Sequence, residues 1–111
     1  MKLRPATETL INDAIDATAQ RTGRSHEELV MFAENSFRHY EYELLDIRAD
    51  EARAAKKYGQ EYADAIRVLG EASDAARDNL TPDEYGPVDE HIKAQYVSYR
   101  LSLLAPLGDR P

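Results

Sequence analysis

Apolar residues at helical spacing run from Leu29 to Ala76 and leave little room for any fold but a helical one. Leu29, Ala33, Phe37, Tyr40, Leu44 and Ile47 step by three and four, as a core-facing helix stripe does. The pattern resumes with Tyr62, Ala65, Ile66, Leu69, Ala72 and Ala76. Between the two runs, Arg53, Lys56 and Lys57 gather ahead of Gly59, an order that complements the helix dipole and suits a helix end. The spacing predicts either one long central helix over about 26–79 or a helical hairpin that breaks near Gly59, and the basic residues favour the break.

The flanks carry their own start and stop signals. A first helix is expected from Thr7 or Thr9, with Leu10, Ile11, Ala14, Ile15 and Ala19 as its apolar side and Gly23 as its end. Ser25 followed by Glu28 reads as a capping box that opens the next helix. Thr81-Pro82-Asp83-Glu84 is a second start signal. Gly86-Pro87 then predicts a single turn over 82–85 and a last helix from Pro87 that presents Val88, Ile92, Tyr96, Tyr99 and Leu103. The fold class is therefore all-α with about four helices. The long stripes exceed what one small domain covers alone, so an oligomer is expected, a dimer or higher.

Composition narrows the function. The 111 residues hold no cysteine, which excludes disulfides, thiolate metal sites and thiol nucleophiles. No apolar run approaches a membrane span and no signal-peptide core follows Met1, which makes a cytoplasmic address, with no membrane contact, the expectation. A net charge of −7 opposes coating of nucleic acid. It is unevenly placed, because Lys2, Arg4, Arg21 and Arg24 outnumber Glu8, Asp13 and Asp16 in the first 24 residues. A weakly basic head precedes an acidic body.

Catalytic and metal constellations are absent from the sequence pattern. Paired-metal helical bundles place Glu three residues before His, whereas Gly23, Ser36 and Val88 stand before His26, His39 and His91. His39 with Glu43 is at most half a site. No serine lies in a Gly-x-Ser-x-Gly setting and the five glycines are scattered, so neither a nucleophile elbow nor a phosphate loop is present. The expectation is a non-enzymatic protein without metal or cofactor.

The segment Asp16 to Ser25, followed by Glu28-Leu29-Val30 and Ala33, resembles the two helices of ribbon-helix-helix proteins. Ile15 and Ala19 stand eight and four residues before the inter-helix Gly23, as in that family, while Pro5 and Asn12 depart from its pattern. The resemblance spans residues 7–45. It implies a dimerisation module over 1–45, followed by an acidic helical extension over 46–111. It also implies a short N-terminal strand that pairs into a β-ribbon and enters the major groove of double-stranded DNA. On that reading Lys2 and Arg4 read bases, and Ser25 and Arg24 meet a phosphate. The function implied is a DNA-binding regulator, antitoxin or plasmid or phage accessory protein. The alternative is an all-helical inhibitor or adaptor with no nucleic acid involved. On either reading Phe37, Tyr40, Leu44, Tyr62, Tyr96 and Tyr99 are the candidate interface with a second copy or a protein partner.

Overall fold

The computed structural model describes residues 3–104, and among them every regular element is an α-helix. The order is α1 (Pro5–Thr22), α2 (His26–Ala49), α3 (Glu51–Tyr58), α4 (Gln60–Asn79) and α5 (Pro82–Ser102). The chain divides into two compact units, one formed by residues 1–37 with 93–111 and the other by 38–92.

The expected N-terminal ribbon has no counterpart. Pro5 occupies the first helical position, where its fixed φ is already suitable and its missing N–H is no loss. Arg4 is left as the extended N-cap residue, and no strand occurs among the described residues. Lys2 lies outside them. The ribbon-helix-helix resemblance is thereby corrected: its helix–glycine–helix hairpin is present, but the described residues hold no strand of the kind that defines the family.

That hairpin forms the first unit. Gly23 adopts φ +73° and its N–H donates to the Ala19 carbonyl at 2.9 Å, the left-handed stop expected of a glycine there. Ser25 Oγ accepts from the Glu28 N–H at 3.1 Å and so caps α2. Ile11, Ile15, Leu29, Ala33, Ala94, Val97 and Leu101 make one apolar core. The buried hydroxyls of Thr18 and Thr22 donate to the carbonyls of Ala14 and Thr18 one turn earlier, so neither is left unsatisfied. Arg100 lies over the Phe32 ring at 5.3 Å.

The second unit differs from expectation in two places. The helix does end at Gly59, which takes φ +92°, but it is also broken at Asp50. There the backbone is extended, and the carboxylate accepts from the Arg53 N–H at 3.0 Å to start α3. Pro87, in contrast, breaks nothing: α5 runs unbroken from Pro82 through it, so the separate turn over 82–85 does not occur. Proline there forfeits one bond to the carbonyl of Asp83, an exposed residue whose carbonyl solvent can satisfy. The start at Thr81 is a full capping box. The Thr81 N–H donates to Glu84 Oε1 at 3.0 Å, and the Glu84 N–H donates to Thr81 Oγ1 at 3.4 Å. The result is five helices among the described residues where about four were expected.

Candidate interaction surface

Within residues 38–92 the apolar stripe turns inward as its spacing dictates. Tyr40, Ile47, Ala54, Tyr62, Ala63, Ile66 and Ala76 are buried, and Gly70 is narrow enough for Leu44 to lie against its backbone. Glu43 and Ser73 are buried with them, and each has a hydrogen-bond partner. The Tyr62 hydroxyl donates to the Glu43 carboxylate inside the unit. Tyr85 on α5 faces Ser73 Oγ at 3.1 Å and donates to Asp89 at 3.2 Å. A phenol has one proton, so with Asp89 as its acceptor the Ser73 hydroxyl is the donor to Tyr85. Burial pushes the Tyr40 phenol above its ordinary value of 10.0, and the nearby Arg48 pulls it back in part.

Charge is ordered at the edge of this unit. Asp46 accepts from the Tyr58 hydroxyl at 2.9 Å, from Lys57 Nζ at 3.3 Å and from Arg53. The Tyr58 bond, followed by those to Lys57 and Arg53, holds the Asp46 carboxyl below its ordinary value. Arg48 Nη2 pairs with Asp74 at 2.5 Å. A shallow recess of about 210 Å³ is lined by Ile47, Glu51, Gln60, Ala63, Asp64 and Arg67. It falls below the ~300–1,000 Å³ of small-molecule sites. Its cation is also engaged, since Arg67 meets Asp64 at 3.4 Å and Glu71 at 3.6 Å.

The residues singled out by sequence are dispersed by the fold. Arg24 pairs with Glu28 at 2.7 Å, and Ser25 caps α2. Arg4 is at the start of α1. Of the candidate interface residues, Tyr40, Tyr62 and Tyr96 are buried, Tyr96 completely at 0% exposure, and Phe37, Leu44 and Tyr99 are half-buried. His39 is exposed while the Glu43 carboxylate turns inward to Tyr62, so the two do not converge as ligands. Among the described residues no three His, Asp or Glu side chains come together as a metal site, and no helix is long and apolar enough to cross a membrane.

The apolar surface that does face outward is elsewhere. Tyr42 is 73% exposed and Leu45 65%, both on the side of α2 away from Tyr40 and Ile47, and Val68 on α4 is 56% exposed. Sequence reasoning passed over all three. Their signal was present, as large apolar residues that fall off the core-facing stripe. Val68 shares its helix face with the exposed Ala72 and Ala75, beside the exposed acids Glu61, Glu71 and Asp78. Charge follows the same division. Residues 38–92 hold seven Lys and Arg against fourteen Asp and Glu, which equals the whole net charge of −7 and leaves the other unit neutral.

No family model matches the chain, and no curated protein or solved structure matches it either.

Proposed function

We propose that the chain is a non-enzymatic, all-helical interaction protein whose acidic unit engages a protein partner with a basic surface. The observation that carries this reading is the outward face of α4, where exposed Val68, Ala72 and Ala75 lie among Glu61, Glu71 and Asp78. An apolar centre with a charged rim is the usual anatomy of a protein–protein interface. The sign of the rim selects a cationic partner and discourages nucleic acid. The DNA-binding reading depended on a ribbon presenting Lys2 and Arg4; with no strand among the described residues, the interaction reading is the better supported of the two.

Affinity capture from the protein's own cells tests it when wild type is compared with a variant carrying Glu61→Lys, Glu71→Lys and Asp78→Lys. Wild type should retain a discrete protein in a salt-sensitive manner, and the variant should lose it. Retention of the same proteins by both, or of duplex DNA by wild type, would overturn the reading.

A further inference from the structure

We infer that the outward face of α2 between Arg38 and Ala49 is a self-complementary surface that pairs two copies of the chain about a two-fold axis. This inference uses a different helix from the interaction face on α4 and does not rest on that reading. Its starting point is the exposure of Tyr42 and Leu45, large apolar side chains three residues apart on one side of a helix. In an antiparallel pairing centred between them, each Tyr42 lies against Leu45 of the second copy. Isologous contacts of this kind always come in such reciprocal pairs.

Charge identifies the second copy as the occupant. Glu41 and Arg48 are exposed, seven residues apart on the same flank of this face. At about 1.5 Å of rise per residue, the antiparallel arrangement sets Glu41 within about 3 Å, along the axis, of Arg48 in the other copy. The same geometry brings Arg38, at the start of the face, level with the exposed Ala49 at the end of α2 in the other copy, where no like charge meets it. Arg48 already meets Asp74 in its own chain, and a guanidinium has donors enough for a second carboxylate. Glu41 and Arg48 therefore meet across the axis in two reciprocal pairs, while Asp46 on the other flank is neutralised within its own chain by Arg53 and Lys57. The surface is short, a dozen residues of one helix, so the dimer is weak, with a dissociation constant on the order of 10–100 μM.

Sedimentation equilibrium on the full chain tests the pairing. Leu45→Glu should weaken the dimer tenfold or more, as a buried charge at an interface centre does. Val68→Glu, an equal change on α4, should leave it unaltered. Glu41→Lys and Arg48→Glu should each be monomeric at a concentration where wild type is dimeric, because each opposes like charges across the axis. An equal mixture of those two variants should recover the dimer mass. In the mixed pair the introduced lysine of one chain faces the introduced glutamate of the other, and the native Arg48 faces the native Glu41. Wild type that stays monomeric up to about 1 mM, a dimer that survives Leu45→Glu, sensitivity at Val68 equal to that at Leu45, or a mixture that restores nothing would each overturn the inference.

Discussion

Arg21, in the last turn of α1, donates from Nη2 to the main-chain carbonyl of Leu101 at 3.0 Å. It also donates from Nη1 to that of Leu104 at 2.7 Å. The Leu101 carbonyl, in the last turn of α5, also accepts from the Leu104 N–H at 3.2 Å, so Arg21 adds a second, charged donor there, holds Leu104 just beyond the helix and answers the negative end of the helix dipole. Arg21→Met should lower the stability of the protein by about 1–2 kcal/mol, with α5 fraying first. Thermal melts, together with amide exchange over residues 98–104, would show this. A melt unchanged from wild type would mean that the Arg21 bonds contribute nothing.

Two helix starts depend on one side chain each. Ser25→Ala and Asp50→Ala should each cost about 1 kcal/mol through loss of the bonds to Glu28 N–H and Arg53 N–H. Asp50→Asn keeps an acceptor in place and should be nearly neutral, which separates capping from charge. Chemical denaturation of the three variants decides it.

The buried pair in the second unit should be more sensitive. Tyr62→Phe takes a donor away from the Glu43 carboxylate inside the protein, at a cost of about 1–3 kcal/mol. Glu43→Gln leaves a neutral acceptor for the same hydroxyl and should cost less. If the two variants have equal urea midpoints, the carboxylate is not held by Tyr62.

Acid should destabilise the protein in a defined window. The hydrogen bond from Tyr58, then those from Lys57 and Arg53, keep Asp46 below its ordinary value of 3.8. The Thr81 N–H and hydroxyl keep Glu84 below 4.5. Both carboxyls therefore take up protons in the unfolded chain before they do so in the folded one. Their stabilisation is complete above the ordinary values and is lost as the pH falls through the lower, folded ones. Asp46→Asn should flatten the fall in Tm between about pH 5 and pH 3. At the other extreme Tyr40 is raised above 10.0, so the unfolded chain ionises first and stability falls as the pH rises past about 10. Tyr40→Phe should remove that loss.

Much of the fold was legible because it depends on local chemistry. Gly23, Ser25 and Gly59 sit where a stop, a cap and a break were expected, and Leu29, Tyr40 and Ile47 point inward as the stripe requires. The errors came where two local signals compete. Pro5 begins a helix where the family resemblance implied a strand, and Pro87 sits inside α5 because a single lost bond near the helix start is tolerated. Asp50 was overlooked as a cap because the break between the two apolar runs was placed at Gly59, where basic residues and a glycine coincide. The interaction surface was less legible than the core. Periodicity identifies which residues face inward, and Tyr40, Tyr62 and Tyr96 satisfy that pattern fully within one chain. Among the large apolar residues left outward, Tyr42, Leu45 and Val68 are those of residues 38–92, and the packing that excludes them defines them.

The most direct test of the interaction reading places a photoreactive phenylalanine analogue at Val68 and, as a control, at Leu10, an exposed position in the neutral unit. Irradiation in the protein's own cells should yield a discrete adduct with another protein from position 68 and none from position 10. Adducts to nucleic acid, or no adduct at position 68, would contradict the account.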